Sequence, residues 1–345
     1  MPQIKILPTN LANKIAAGEV VERPSSVVKE LVENALDAKS RNIAIEIEDG
    51  GRKMIRVADD GVGMDSEDAK LAFARHATSK ITEASDLFAI NTLGFRGEAL
   101  ASIASVAKVS LSTKLADSIS GTKIVADYGK VKSFEDAGLA AGTIVEVGDI
   151  FYNVPARKKY LKAKNTEFGH IVSAVTDHAL SHPFIGFKLS HNKKIVLNLP
   201  RKQKFLQRVE NIFGKDVSGS LLEIRHESPY IRIFGYIGKP EIARNSRDHQ
   251  FIFVNKRKVQ NSTVSHAVVE GFATFLQKNQ YPVFFLFVEL NPDLVDVNVH
   301  PQKREVRFLN QNMVHSAVLN SVRKVLSKEK LAPRIDLGGR EHVAA

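Results

Sequence analysis

The sequence predicts an α+β fold: an α/β sandwich with helices on one face of a mixed sheet, followed by a second, smaller α/β domain. Three observations predict it. Helical periodicity at 24–38 passes directly into a hairpin pattern at 41–58. Amphipathic helical segments and alternating strands then interleave along the chain, a pattern that layers helices on a sheet. Finally, 345 residues exceed what one core of ordinary size requires.

Val27, Val28, Leu31, Val32, Ala35 and Leu36 recur at helical spacing, and Pro24 suits a first turn, so 24–38 reads as a helix. Ile43, Ile45 and Ile47 alternate with polar residues, Gly50-Gly51 supplies a tight turn, and Met54 to Ala58 returns, which makes a β-hairpin. Helices are expected at 65–75, 97–106 and 166–181, and strands at 108–113, 122–127 and 142–148. Pro200 to Lys204 is polar and basic, and a short helical segment to Phe213 runs into Gly214 to Ser220, rich in Gly and Ser. A boundary there gives domains at 1–215 and 216–331. In the second, strands at 230–237, 250–254, 282–289 and 295–299 enclose a helix near 262–276, and a last helix covers 311–328. Residues 332–345 lack periodicity and read as a flexible tail.

Composition narrows the function classes. Hydrophobic residues make 43% and charged residues 25%, ordinary for soluble globular proteins. No apolar run approaches the roughly 18 residues of a membrane span. Met1 to Asn10 lacks the basic and apolar regions of a secretory signal. Cys is absent, which excludes disulfides, thiolate nucleophiles and Cys-ligated metals. A cytoplasmic protein without membrane partners is expected. Net charge is +11, unevenly spread: residues 1–150 hold 18 Lys+Arg against 22 Asp+Glu, and the remainder 31 against 16. The basic part suits a polyanion, although a solvated basic surface without a partner gives the same count. Six Tyr and no Trp offer no aromatic array for base stacking, which favours contact with a nucleic-acid backbone.

Glu30, Glu33, Asn34 and Asp37 fall at i, i+3, i+4 and i+7 and form one stripe of the first helix. Taken alone, the stripe is the ordinary pattern of an amphipathic helix showing carboxylates to water; the functional reading is a general base beside a hard-cation ligand. Asp59-Asp60-Gly61-Val62-Gly63 ends the hairpin's returning strand, where a carboxylate can meet a ligand, although many turns have this pattern. Gly94-Phe95-Arg96-Gly97-Glu98 precedes an apolar helix, and free N–H groups at a helix start suit phosphates. The usual P-loop, with its Gly-Lys-Ser/Thr ending, is absent. His76 and His300 invite a metal or phosphotransfer reading, but neither has a second His or carboxylate at ligand spacing in the sequence, and structural hydrogen bonding is expected.

Taken in order, Glu30 to Ala38, Asp59 to Gly63, Gly94 to Leu100 and Gly142-Thr143 resemble the four ATP-site motifs of the gyrase, heat-shock chaperone, histidine kinase and MutL (GHKL) superfamily. Ile15 to Val21, Ala74 to Lys80, Phe151 to Arg157 and Val295 to Pro301 narrow the likeness to the MutL family of DNA mismatch repair ATPases, over residues 1 to about 331. The resemblance implies a Bergerat-type α/β sandwich ATPase domain, with an N-terminal arm at 1–20 and a lid at about 74–97, then a basic, DNA-contacting, transducer-like domain of ribosomal-protein-like fold. A topoisomerase or chaperone ATPase module would share the site, and a DNA-binding adaptor could bind ATP without turnover.

Site roles follow from the resemblance alone. Glu30 would be the general base and Lys303 would reach the γ-phosphate. Asn34 would ligate Mg²⁺, with Asp37 beside it. Asp59 would accept a hydrogen bond from the adenine amino group, supported by Thr143, while Gly61, Gly63 and Met64 pack near the nucleotide. Thr78, Ser79 and Lys80 would belong to the lid, and Gly94, Phe95, Arg96 and Gly97 to the phosphate cradle. The family also implies ATP-driven self-association, DNA bound without sequence specificity, the mismatch-recognition protein MutS and a downstream nuclease or helicase as partners, and a C-terminal dimerisation domain beyond this chain, which itself is expected to carry no nuclease site.

Overall fold

The computed structural model describes residues 17–18, 20–80, 94, 97–296 and 306–329. Most of the expected N-terminal arm and lid, strand residues 297–299 and the tail 332–345 lie outside the described residues. The chain divides into two units between Ser218 and Gly219. No described helix is long and apolar enough to cross a membrane.

In the first unit, helix α1 (Pro24–Asp37) is followed by strands β1 (Asn42–Glu48) and β2 (Met54–Asp59), joined by a 3-10 turn at Asp49–Gly51. Helices α2 (Ser66–Leu71) and α3 (Ala99–Val106) precede β3 (Lys108–Lys114), β4 (Gly121–Asp127), β5 (Lys130–Ala137) and β6 (Gly142–Gly148). After α4 (Pro155–Tyr160) and α5 (Lys164–Ser181) come β7 (Gly186–His191), β8 (Lys194–Leu199), α6 (Phe205–Phe213) and α7 (Lys215–Gly219). The eight strands form one sheet in the order β5-β4-β3-β6-β2-β1-β7-β8. Every pair is antiparallel except β1 with β7, so the sheet is mixed. Alternation decides which face is covered: Ile43, Ile45, Ile47, Ile55, Val57, Val109, Leu111, Val145 and Val147 are buried with Val28, Leu31, Val32 and Ala35 of α1, Ile103 of α3, and Ile171 and Val175 of α5.

The second unit holds β9 (Leu221–Glu227), β10 (Ile231–Gly238), β11 (Gln250–Val254), β12 (Arg257–Val259), helix α8 (Ser262–Phe272), β13 (Phe284–Leu290), the short β14 (Val295–Asp296) and β15 (Arg307–Phe308), and helix α9 (Gln311–Lys328). Its five-stranded sheet runs β12-β11-β13-β10-β9. One face packs with α8 and α9 through Ile233, Ile252, Leu286, Val264, Val268, Val318 and Val322. The other bears a phenylalanine ladder with ring centroids 4.8 to 5.1 Å apart: Phe251 on Phe285, and Phe253 and Phe234 on Phe287. The residue counts concealed this array; Phe251, Phe253 and Phe285 are buried, whereas Phe234 and Phe287 are half-buried.

The division at 218 also moves the charge. Residues 151–218, in the first unit, hold 13 Lys+Arg against 4 Asp+Glu, whereas 219–345 hold 18 against 12. The densest positive segment therefore lies before the boundary, and its Lys158, Lys159, Lys188, Lys193, Lys194, Arg201, Lys202 and Lys204 are exposed.

Behind α1, His178 of α5 is largely enclosed. Burial, reinforced by His182 and Lys29, pulls its pKa from 6.5 down to about 3. Glu33 Oε1 stands 3.9 Å from its Nε2, beyond hydrogen-bond reach, so burial decides and the ring stays neutral. The unfolded chain binds a proton here below about 6.5 and the folded chain does not. The stability present above that pH is therefore lost as pH falls toward 3. The thermal midpoint is expected to fall between pH 6.5 and 5, with this residue contributing up to about 1.4 kcal/mol per pH unit, and His178→Gln should flatten that slope. An equal slope in the variant rejects the assignment.

Candidate functional site

The site grows from one geometrical necessity: α1 lays Val27, Val28, Leu31, Val32 and Ala35 against the sheet, so the stripe at Glu30, Glu33, Asn34 and Asp37 turns away from the core and stays half-buried. Lys80 Nζ lies 3.1 Å from Asn34 Oδ1 and 2.5 Å from Asp37 Oδ2. The Gly94 N–H donates to the same Asp37 oxygen at 3.1 Å. Two side-chain oxygens of one helix thus converge on a cation, with a backbone donor alongside. Glu30 lies one turn before Asn34 on this stripe.

A second cluster forms at the end of β2. Asp59 Oδ1 accepts from the Gly61 N–H at 2.8 Å and lies 2.9 Å from Ser40 Oγ. Ser40 Oγ also reaches Ala35 O at 2.6 Å, so one hydroxyl proton serves two acceptors. Burial pushes the Asp59 carboxyl above its ordinary range, against the opposing hydrogen bonds from Gly61 and Ser40. Its neighbour behaves oppositely. Burial also opposes ionisation of Asp60, but hydrogen bonds from the Asn42 and Arg41 backbones (2.8 and 2.6 Å) and the Asn42 side chain (2.7 Å) outweigh it and hold Asp60 below the ordinary carboxylate range. Asp60 ties the strand ends together, and Asp59 is the carboxylate poised for other work.

Strand register carries the site across the sheet. Asp59 pairs with Thr143, and Thr143 with Thr113. The two threonine hydroxyls are 3.0 Å apart. Thr113 Oγ1 donates to Gly142 O at 3.2 Å and accepts from the Met64 N–H at 2.9 Å. With its proton committed, Thr113 receives the Thr143 proton. Met64 is thereby anchored through its backbone. Gly63 has φ +74, and a Cβ there would stand 2.1 Å from Lys114 O, so glycine is required by close approach of protein backbone.

Of the other expected residues, Thr78 Oγ1 accepts from the Lys80 N–H at 3.1 Å, Ser79 is exposed, and Gly97 precedes α3. Phe95, Arg96, Lys303 and His300 lie outside the described residues. His76 Nδ1 is 3.1 Å from Glu98 Oε1, a partner the sequence spacing concealed. Ser40, Asn42 and Thr113 are the contributors sequence reasoning missed. A serine or threonine at a strand end is unremarkable in sequence, and only its cross-strand neighbour gives it meaning.

A family model of histidine kinase-, DNA gyrase B- and HSP90-like ATPases matches residues 22–149, and one described as the C-terminal domain of DNA mismatch repair protein matches residues 209–327. The first unit therefore has the fold of that ATPase class. The chain is 48% identical over 335 residues to the DNA mismatch repair protein MutL of Halothermothrix orenii, covering 97% of this chain and 52% of that protein. It is 46% identical over 324 residues to MutL of Geobacter sulfurreducens, covering 94% and 53%. It thus spans about half the length of these curated relatives. A crystal structure of the N-terminal domain of a DNA repair protein matches with TM-score 0.80 at 30% identity, over 93% of this chain and 99% of that one. The Aquifex aeolicus MutL ATPase domain complexed with ADP matches with TM-score 0.61 at 26% identity, over 87% and 98%. The chain belongs to the MutL family of DNA mismatch repair proteins.

The paired carboxylates yield a test independent of any ligand. Asp60→Asn weakens charge-assisted bonds worth about 1 kcal/mol or more and should lower the thermal midpoint by about 2–4 °C. Asp59→Asn removes a buried charge while keeping the acceptor oxygen, and should not lower it. If calorimetry finds Asp59→Asn the more damaging change, the assignment of the two roles is wrong.

Proposed function

We propose that this chain binds and slowly hydrolyses ATP, and that ATP drives two copies together through their first units into a dimer that holds DNA. The convergence of Asn34 and Asp37 oxygens on one ammonium, beside the Gly94 N–H, carries the reading. Oxygen donors aimed at a common positive charge are the donor set a hard divalent cation takes. Asn34 and Asp37 would hold magnesium there, which when bound neutralises charge on the transferring phosphoryl group.

The chain's own residues divide the remaining work. Glu30 acts as general base, taking the proton of the attacking water, a role worth about 10²–10⁴-fold in rate. Asp59, with Oδ1 committed to Ser40 and Gly61, accepts the exocyclic N–H of adenine. Guanine presents a carbonyl oxygen at that position, which a carboxylate repels, so the site selects ATP. Thr143, oriented by Thr113, supports the same edge of the base. Gly63 and Met64 shape the wall beside it. Gly94 to Gly97, through Phe95 and Arg96, supply backbone donors for the phosphate chain, since the N–H that now meets Asp37 suits a phosphate oxygen. Thr78, Ser79 and Lys80 close over the nucleotide, and Lys303 reaches the γ-phosphate and senses its presence.

DNA is gripped through its phosphates by exposed lysines and arginines of residues 151–218 and of the second unit, without base readout. The dimer passes a mismatch signal from MutS to a downstream nuclease or helicase, and hydrolysis resets it. Two experiments test the scheme. Glu30→Ala should lower the turnover rate at least 100-fold while the ATP dissociation constant changes less than about threefold; an unchanged rate removes Glu30 as the base. In gel filtration at micromolar concentration, a non-hydrolysable ATP analogue with Mg²⁺ should convert monomer to dimer. Analogue binding without any shift in elution would separate ATP from association and leave an adaptor that binds nucleotide only.

A further inference from the structure

We propose that the second unit carries a binding site for a zinc-class divalent cation on its helical face, formed by His266 and Glu270 of α8 and His315 of α9. His266 and Glu270 stand four residues apart and share one side of α8. His315 reaches them from the neighbouring helix. The three facing atoms form a closed triangle: His266 Nδ1 to His315 Nε2 is 3.1 Å, His315 Nε2 to Glu270 Oε2 is 3.4 Å, and His266 Nδ1 to Glu270 Oε2 is 3.8 Å. Three ligands of a tetrahedral zinc ion, at bond lengths of about 2.0–2.1 Å, stand roughly 3.3 Å from one another. A point equidistant from these three atoms lies about 2 Å from each, so an ion enters with little rearrangement of the side chains.

Donor chemistry selects the ion class. Two imidazole nitrogens with one carboxylate oxygen suit Zn²⁺, Ni²⁺ or Cu²⁺, whereas Mg²⁺ and Ca²⁺ prefer oxygen shells. The carboxylate is held in position from behind: Arg323 Nη2 lies 3.3 Å from Glu270 Oε1, which turns Oε2 toward the two rings. The helices are fixed as well. A Cβ on Gly271 would lie 2.6 Å from Val322 Cγ1, so α8 and α9 approach as closely as a glycine allows, and Val264, Val268, Val314 and Val318 are buried beneath them. The ligands therefore sit on a rigid pair of helices. His266 is exposed and His315 and Glu270 half-buried, so a fourth coordination position faces solvent and takes water. Among the described residues no other His, Cys, Asp or Glu group of three meets this spacing. The site is remote in sequence from Asn34 and independent of the ATPase reading.

The test uses the whole chain, without nucleotide, titrated with ZnCl₂ by calorimetry and with CoCl₂ by visible absorption at pH 7.5. One equivalent should bind at micromolar concentration or tighter, with cobalt showing the intense d–d bands of low coordination. His315→Ala and, separately, His266→Ala should each weaken binding at least 10-fold and abolish any Zn²⁺-dependent rise in thermal midpoint. His266 is exposed and His315 lies outside the apolar core beneath the helices, so the variants should fold, and unchanged circular dichroism checks this. Asn34→Ala should leave the zinc affinity unaltered. Absence of stoichiometric binding overturns the proposal, and so does binding that survives both histidine variants, which would place the metal elsewhere.

Discussion

Burial of one face of α1 is the constraint on which the rest of the first unit depends. Val27, Val28, Leu31, Val32 and Ala35 have almost no solvent exposure, and each of the valines and the leucine contributes about 1.5–3 kcal/mol when removed from water. No rotation of the helix about its axis preserves that contact. Glu30, Asn34 and Asp37, about a quarter to just under a half turn away around the axis, are consequently aimed at one region of space. Rigidity of the core thus becomes precision at the site.

The same helix sets the position of the strand end. Beyond Asp37 the chain turns through Ala38 and Lys39, with Ser40 N bonded to Ala35 O at 3.2 Å and the Ser40 hydroxyl directed at the same carbonyl. That hydroxyl also touches Asp59, which links the C-terminus of α1 to the end of β2. Two adjacent carboxylates meet contrasting environments there. Asp60 is surrounded by donors from β1 and behaves as structural mortar. Asp59 is enclosed with fewer donors, a costly arrangement for a charge. Carboxylates held at such a cost concentrate where a ligand completes their hydrogen bonding.

Much of this was legible beforehand because it is periodic or local. The span of α1, the β1–β2 hairpin, β3, β4, β6, α5 and α9 follow from alternation or helical spacing of apolar residues. Elements whose stability is borrowed were not legible. β5 is an edge strand with mostly exposed residues, β8 leaves Ile195 and Val196 open to solvent, and β7 joins the sheet only by pairing in parallel with β1, far away in sequence. β9 begins at Leu221, immediately after a helix at Lys215–Gly219 in a run whose Gly and Ser content resembles a linker. A propensity reading has no access to the partner strand that makes such segments regular.

The sequence by itself determined the class of fold, the stripe on α1, the Asp-x-Gly-x-Gly turn and the family resemblance, because each is written in spacings of a few residues that the backbone's own periods translate directly. Only the tertiary structure decided which of Asp59 and Asp60 is the carboxylate penalised by burial, that Thr113 orients Thr143, that Lys80 meets Asn34 and Asp37, that the densest basic segment precedes the domain boundary, and that His266, Glu270 and His315 share one point. Those facts join residues that are distant along the chain or differ only in their surroundings. Register, desolvation and helix packing arise when the elements meet, and no local pattern contains them.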